Sequence, residues 1–147
     1  MKIGVLGSGD VGRAVGAGLV RHGHAVMMGT RDPGQEKVRT WARESGGSAG
    51  TFAETAGFGE LLFLATAWTG TKSALDMAGA ERMAGKVMLD ATNPLDLSAG
   101  FPPRLTLGLT DSSGEQVQRW LPQTRVVKCY HTVGNALMID PQVQGGP

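Results

Sequence analysis

Short apolar runs of strand length recur along the chain, separated by segments whose apolar positions have helical spacing. The run at 60–66 is almost wholly apolar, as expected for a central parallel strand that helices cover on both faces. In the first intervening segment, Val11, Val15 and Leu19 share one helical face. The pattern predicts strands at 2–6, 25–28, 48–52, 60–66, 86–91 and 125–130.

The segments between these strands predict helices, and the last of them has clear end signals. Ser112 stands at capping-box distance from Glu115, and Pro122 ends the helix. Residues 95–111 contain two prolines and two glycines, so we expect a surface excursion there, and 131–138 is expected to be a loop or short helix. The predicted helices are 11–22, 35–44, 53–57, 71–78 and 112–121.

This alternation of strand and helix predicts an α/β fold with a doubly wound, mainly parallel sheet and helices on both faces. At 147 residues the chain is expected to form one domain over residues 1–147.

A glycine-rich turn follows the first strand directly and opens the first helix. Its sequence is Gly7-Ser8-Gly9-Asp10-Val11-Gly12. The first glycine allows a tight turn, the second lets a pyrophosphate approach the backbone, and the third allows close helix packing. The helix N-terminus adds amides and partial positive charge. Because a strand, a helix and a second strand surround the turn, it predicts a Rossmann-type dinucleotide site; a purely structural turn is the alternative.

The end of the second strand distinguishes the two nicotinamide cofactors. An acidic residue there would bind the ribose 2′-hydroxyl of NAD, whereas this chain has Thr30-Arg31. The Arg31 guanidinium can pair with a 2′-phosphate, Thr30 can donate a hydrogen bond, and Lys37 adds charge nearby. Asp32 lies later than the usual acidic position and is interpreted as the start of a turn. These residues predict NADP, the alternative being that Arg31 and Lys37 are exposed loop residues.

Two further motifs stand at the carboxyl ends of predicted central strands, where open α/β sheets bind ligands. They are Thr66-Ala67-Trp68 and Asn93-Pro94. We expect both to line the cofactor groove, although Trp68 is equally well explained by ordinary packing.

His131 follows the last predicted strand in the same way. It is the best-placed ionisable side chain for the nicotinamide end of the groove, where it would have a positioning role in catalysis. A structural role for His131 is the alternative.

Composition narrows the classes of function. With 14 basic and 13 acidic residues the net charge is +1, which offers no field for binding nucleic acid. No apolar run approaches the roughly 20 residues that span a bilayer, so no membrane partner is expected. Cys129 is the single cysteine, which fits a reducing compartment and predicts a cytoplasmic protein. No His, Cys or carboxylate spacing indicates a metal site.

Taken together, four motifs make the chain similar to the NADPH-dependent coenzyme F420 reductases, also called F420H2:NADP oxidoreductases. They are Met1 to Gly9, Gly29-Thr30-Arg31-Asp32-Pro33, Asp90-Ala91-Thr92-Asn93-Pro94, and Val126-Val127-Lys128 leading to Thr132-Val133-Gly134. The resemblance implies hydride exchange between C4 of the nicotinamide of NADP and the deazaflavin ring of F420. It also implies a homodimer and adds Thr132 to the candidate cofactor-binding residues.

The chain departs from that family in three places. Ala67 stands where a proline is common, and Cys129-Tyr130-His131 replaces Ala-Phe-Asn. Family members usually continue past the final Gly145-Gly146-Pro147, so the usual C-terminal portion is expected to be absent or truncated. All three departures concern the second redox partner more than NADP.

The sequence leaves two other functions open. One is a non-catalytic NADP-binding module or fragment that needs another chain to complete its site. The other is a methyltransferase using S-adenosylmethionine, although the three-glycine turn and Arg31 suit a pyrophosphate and a 2′-phosphate better.

Overall fold

The predicted strands assemble into one parallel sheet in the computed structural model, which describes residues 1–142 and residue 145. The sheet has six strands in the order β3-β2-β1-β4-β5-β8, so the chain winds outward in both directions from β1. β6 and β7 form a separate antiparallel pair. The strands are β1 (Lys2–Leu6), β2 (Ala25–Thr30), β3 (Ser48–Thr51), β4 (Leu61–Leu64), β5 (Val87–Asp90), β6 (Leu95–Asp96), β7 (Arg104–Leu105) and β8 (Arg125–Lys128).

Helices cover both faces of this sheet, each with its own apolar core. On one face α3, α4 and α6 pack against Leu62, Leu64 and Met88. On the other face α1 and α2 pack against side chains that include Ile3 and Met28. The doubly wound Rossmann-type fold predicted from the sequence is therefore confirmed. The helices are α1 (Asp10–Arg21), α2 (Glu36–Ser45), α3 (Phe52–Phe58), α4 (Trp68–Ala78), α5 (Ala80–Met83) and α6 (Ser113–Trp120), with a 3₁₀ turn at Asn135–Leu137.

Several element ends differ from the sequence prediction. The α4 helix begins at Trp68 rather than at 71, and its first turn is closed by a hydrogen bond from the Gly70 amide to the Ala67 carbonyl (2.9 Å). The last strand ends at Lys128 rather than at 130, because Tyr130 has a left-handed backbone with φ of 58°. The excursion at 95–111 contains the β6–β7 pair, and the short helix α5 was not predicted.

The chain after β8 crosses back over the face that carries α1. Met138 is buried in that core, and Ile139 packs so closely on Gly18 that a Cβ at residue 18 would overlap the Ile139 side chain. Asp140 accepts hydrogen bonds from His22 (2.8 Å) and Arg21 (3.3 Å) at the end of α1. We call residues 135–140 the return segment.

Candidate functional site

A cavity of about 470 Å³ opens where β1, β2 and β4 end. Parallel strands present their carboxyl ends at one edge of the sheet, so the loops that follow these three strands meet there. Eight residues predicted from the sequence to bind a cofactor line this cavity: Gly7, Ser8, Gly9, Thr30, Arg31, Lys37, Thr66 and Ala67.

The three glycines of the turn have different surroundings. Gly7 has φ of 124°, and a Cβ there would lie 2.5 Å from the Ala65 carbonyl oxygen. A Cβ at Gly12 would overlap the Gly7 carbonyl, so α1 packs on the turn backbone to backbone. At Gly9 no atom of the described residues, apart from its own chain neighbours, lies within 4 Å of a Cβ position. Gly7 and Gly12 therefore serve the fold, whereas Gly9 leaves open space beside the cavity.

The N-terminus of α1 points its amides toward the same space. Gly9 is the N-cap residue and supplies no side-chain hydrogen bond to the first turn. Asp10 is exposed and pairs with Arg13 at 2.5 Å, while Val11 packs toward the core beside α1. Asp10 and Val11 thus lie outside the cavity lining and can contribute their backbone amides alone.

Positive charge collects at the outer end of the cavity, beyond β2. The buried Thr30 hydroxyl accepts a hydrogen bond from the Ser8 hydroxyl at 3.3 Å. Arg31 and Lys37 are exposed, and within residues 1–142 no carboxylate pairs with either. Asp32 instead accepts a hydrogen bond from the Gly34 amide at 2.9 Å, which is the turn that the sequence predicted. The arrangement suits an anion at this end.

The inner wall comes from the end of β4. One hydroxyl carries one hydrogen, and Thr71 donates its own to the Ala67 carbonyl at 3.1 Å. Thr66 must therefore donate in its 2.8 Å hydrogen bond to Thr71. The lone pairs of the Thr66 hydroxyl oxygen can then accept a hydrogen bond from a ligand in the cavity.

Trp68 does not line the cavity. Its ring stacks on Trp120 with centroids 5.5 Å apart and packs against the core beneath α4 and α6. Trp68 thus has the packing role that the sequence left open, and the expectation that it lines the cofactor groove is not met by this cavity.

Four predicted residues lie further along the same edge, outside the cavity lining. The Asn93 amide donates to the His131 carbonyl at 2.9 Å, which joins the loops that leave β5 and β8. Pro94 is buried, whereas the side chains of His131 and Thr132 are exposed. The structure thus brings Asn93 and His131 together, but the contact uses the main-chain carbonyl of His131 and not its imidazole ring.

Cys129 lies between β8 and this loop. Burial raises the pKa of its thiol above the ordinary value, and the Asp90 carboxylate raises it further, whereas Lys128 lowers it. The thiol is therefore protonated at neutral pH and is not an activated nucleophile.

The cavity also has lining residues that the sequence did not single out. They are Gln35, Phe52, Ala65, Thr69, Gly70 and Ala74. Phe52 follows β3 and Thr69 follows β4, so the rule about carboxyl ends of strands could have found both. Gln35 precedes α2, and its part in the cavity depends on how the loop after β2 folds back.

Two kinds of feature are absent from the described residues. No helix among them is both long and apolar enough to cross a bilayer. No group of three or more His, Cys, Asp or Glu side chains in residues 1–142 is arranged to hold a metal ion.

Comparison with known proteins points to one family. Residues 2–94 match the family described as NADP oxidoreductase, coenzyme F420-dependent. The chain is also 29% identical over 143 residues to the metalloreductase STEAP3 of Rattus norvegicus, covering 96% of this chain and 27% of that protein. It thus spans about a quarter of the length of this curated relative.

Solved structures give the same fold. A candidate F420-dependent NADP reductase from Arthrobacter sp. FB24 is 44% identical with a TM-score of 0.90, covering 96% of this chain and 67% of that one. A pyrroline-5-carboxylate reductase from Coxiella burnetii is 13% identical with a TM-score of 0.61, covering 86% of this chain and 42% of that one. At that identity the second likeness concerns the fold alone.

Proposed function

The chain belongs to the family of coenzyme F420-dependent NADP oxidoreductases, and from this premise we propose that it binds NADP(H) in the cavity at the ends of β1, β2 and β4. We further propose that it transfers a hydride between NADP(H) and coenzyme F420 or a related flavin-like acceptor. One observation carries the proposal: the open space at Gly9 borders the same cavity as the Arg31 guanidinium, with which no carboxylate of residues 1–142 forms an ion pair.

The cavity fits the phosphates of such a cofactor. The unfilled space at Gly9 and the uncapped amides of α1 suit a pyrophosphate. The Arg31 guanidinium, the Thr30 hydroxyl and Lys37 suit a 2′-phosphate, which NAD lacks. The pyrophosphate would therefore lie over the turn and the adenosine ribose toward β2.

The nicotinamide half would then extend past β4 toward β5 and β8. Thr66 and Ala67 line the adjoining part of the cavity, and Asn93-Pro94 and His131-Thr132 follow along the edge. We propose these residues as contacts that orient the nicotinamide ring, with His131 as a positioning residue.

When bound, such a cofactor would supply the redox chemistry, namely a hydride that passes from C4 of the nicotinamide to the acceptor ring, so that NADPH would be oxidised to NADP⁺ and the acceptor reduced. The protein's part is to hold two rings in contact and exclude water. Holding reactants in alignment can lower a barrier substantially, so the proposal needs no acid–base pair.

A titration with NADPH and NADH, followed by addition of F420, tests the proposal. We expect NADPH to bind more tightly than NADH, and the deazaflavin absorbance to fall in a single turnover. Tight NADPH binding without loss of that absorbance would favour a non-catalytic NADP-binding module, which completes its site with another chain. Binding of S-adenosylmethionine in place of NADPH would refute the proposal.

A further inference from the structure

A buried ionic cluster joins the ends of β5 and β8. The fully buried Asp90 carboxylate accepts hydrogen bonds from the Thr92 amide (2.9 Å), the Thr92 hydroxyl (2.7 Å) and the Lys128 ammonium (3.1 Å). The Lys128 ammonium also donates to the Thr92 main-chain carbonyl. We call Asp90, Thr92 and Lys128 the β5–β8 clamp.

The surroundings of the clamp hold the Lys128 side chain in place. It is only 24% exposed, and its stem runs beneath the first turn of α6. A Cβ at Gly114 would lie 3.3 Å from Lys128 Cδ, so the lysine stem packs directly against this turn. The ammonium group is therefore directed at Thr92 by packing as well as by charge.

A buried ion pair contributes little net stability, because desolvating two charges offsets most of their attraction. What such a pair does well is select one arrangement of the groups around it. Here those groups are the two loops of the proposed nicotinamide site. Thr92 precedes Asn93, and Lys128 precedes the Cys129 amide, which donates to the Asp90 carbonyl at 3.0 Å.

The clamp lies at the same edge of the sheet as the cavity, on the two strands that follow β4 in the strand order. The cavity occupies the β2, β1 and β4 part of the sheet edge, and β5 and β8 follow in the strand order. A dinucleotide that crosses a sheet of this kind at β1 extends to both sides of it. The loops that the clamp joins are therefore those that the nicotinamide half would reach.

We infer that Lys128, acting through Asp90 and Thr92, is a positioning residue that aligns Asn93-Pro94 and the loop around His131 against the nicotinamide. The inference rests on the proposed function. It assigns to a partly buried cation outside the cavity lining a role in the hydride-transfer geometry and none in binding the phosphates.

The test uses calorimetry with two probes, NADPH and 2′-phospho-ADP-ribose, which is NADP without its nicotinamide. The variants are Lys128→Met and Asp90→Asn/Lys128→Met, the second of which leaves no unpaired buried charge. The matched control is Lys86→Met. Lys86 is also partly buried, and its ammonium donates to the Ala56 carbonyl at 2.7 Å. It stands at the amino end of β5, whereas the clamp lies at the carboxyl end of that strand.

We expect both clamp variants to bind the fragment as the wild type does. We also expect them to lose about tenfold of the affinity advantage that NADPH has over the fragment. Single-turnover hydride transfer to F420 should slow by about 10- to 100-fold, as misalignment near 1 Å does in enzymes. Lys86→Met should lower the melting temperature. It should leave both the affinity advantage of NADPH over the fragment and the hydride-transfer rate unchanged, because the two loops stay joined.

An unchanged affinity ratio in the folded clamp variants would overturn the inference. Failure of both variants to fold would also overturn it, since the clamp would then be a folding determinant. The proposed function is judged separately on the wild type. If the wild type binds neither probe, that function fails and the clamp loses its role with it.

Discussion

At the residue scale, the glycine turn separates what the fold needs from what a ligand needs. Gly7 combines φ of 124° with a Cβ position 2.5 Å from the Ala65 carbonyl oxygen. Gly9 has an extended backbone with φ of −75°, and beyond its chain neighbours nothing in the part of the chain that the structure describes lies within 4 Å of its Cβ position. A side chain is therefore excluded at Gly7 by the protein itself, and at Gly9 only by whatever occupies the cavity.

Gly9→Val should abolish NADPH binding while the protein stays folded, because the valine side chain would occupy the space proposed for the pyrophosphate. Calorimetry with NADPH and circular dichroism on the same sample check both halves of this prediction. Gly7→Ala is the contrasting variant and should lower the melting temperature, because its clash is with backbone. Normal NADPH affinity in folded Gly9→Val would refute the pyrophosphate assignment.

Arg31 is predicted to set the preference for NADP over NAD. Its guanidinium has no carboxylate partner in residues 1–142 and borders the cavity beside Gly70. Hydrogen bonds to charged groups contribute about 1.5–3 kcal/mol, so Arg31→Ala should weaken NADPH binding about 10- to 150-fold. NADH affinity should barely change, because NADH has no 2′-phosphate.

The measurement is the ratio of NADPH to NADH affinity by calorimetry in one buffer, since exposed charges are screened by salt. Arg39→Ala is the control, because Arg39 is an exposed arginine of α2 outside the cavity lining. An unchanged ratio in Arg31→Ala would make Arg31 an exposed loop residue.

At the scale of elements, α3 lies unusually close to the sheet. A Cβ at Gly4 of β1 would be 2.6 Å from the Thr55 carbonyl oxygen, and one at Gly29 of β2 would be 3.0 Å from the Thr55 side chain. Reciprocal hydrogen bonds between Thr51 and Glu54 fix the start of this helix and lower the pKa of Glu54. The two strand glycines therefore allow α3 to approach β1 and β2.

Two alanine substitutions, one at this contact and one on the exposed side of α3, should have opposite effects on stability. Gly4→Ala forces a methyl group into backbone and should cost about 1–3 kcal/mol. Gly57→Ala, in α3 itself, meets nothing within 4 Å and should stabilise the protein by about 0.5–1 kcal/mol. Urea unfolding of both variants measures the difference, and destabilisation by Gly57→Ala would contradict the open surroundings of that residue.

At the scale of the whole molecule, the return segment links the end of the chain to α1. His22 and then Arg21 hydrogen-bond to Asp140 and hold the pKa of its carboxyl below its ordinary value of 3.8. The charged carboxylate is thus favoured in the folded protein. Its stabilising effect is fully present above pH 3.8 and is lost as the pH falls through the lowered pKa.

Acid should therefore destabilise the wild type more steeply than Asp140→Asn. Thermal melts from about pH 6 down to about pH 3 should show the two melting temperatures converging as the pH falls. The lowered pKa values of Glu54, Asp96 and Asp111 act alike in both proteins and cancel in the comparison. Parallel curves would show that the contacts of Asp140 do not stabilise the fold.

The homodimer implied by the family stays a prediction at this scale.

The sequence by itself determined the succession along the chain of the six strands of the main sheet and of every helix of the sheet faces except α5, together with the glycine turn and the residues that end β2 and β4. These features depend on local rules, namely apolar periodicity, backbone conformation and the position of a residue along its own strand. Eight of the predicted cofactor contacts accordingly line one cavity.

The tertiary structure alone decided which side chains from distant elements meet. The stacking of Trp68 on Trp120, the hydrogen bond from Asn93 to the His131 carbonyl, and the bonding of Lys128 to Asp90 each join residues far apart in the chain. Such contacts depend on helix packing and strand order, which determine where a side chain points once the backbone is placed. Until that packing is known, the same residue types in the same order remain compatible with a role in the packing of the fold and with a role in contacting a ligand.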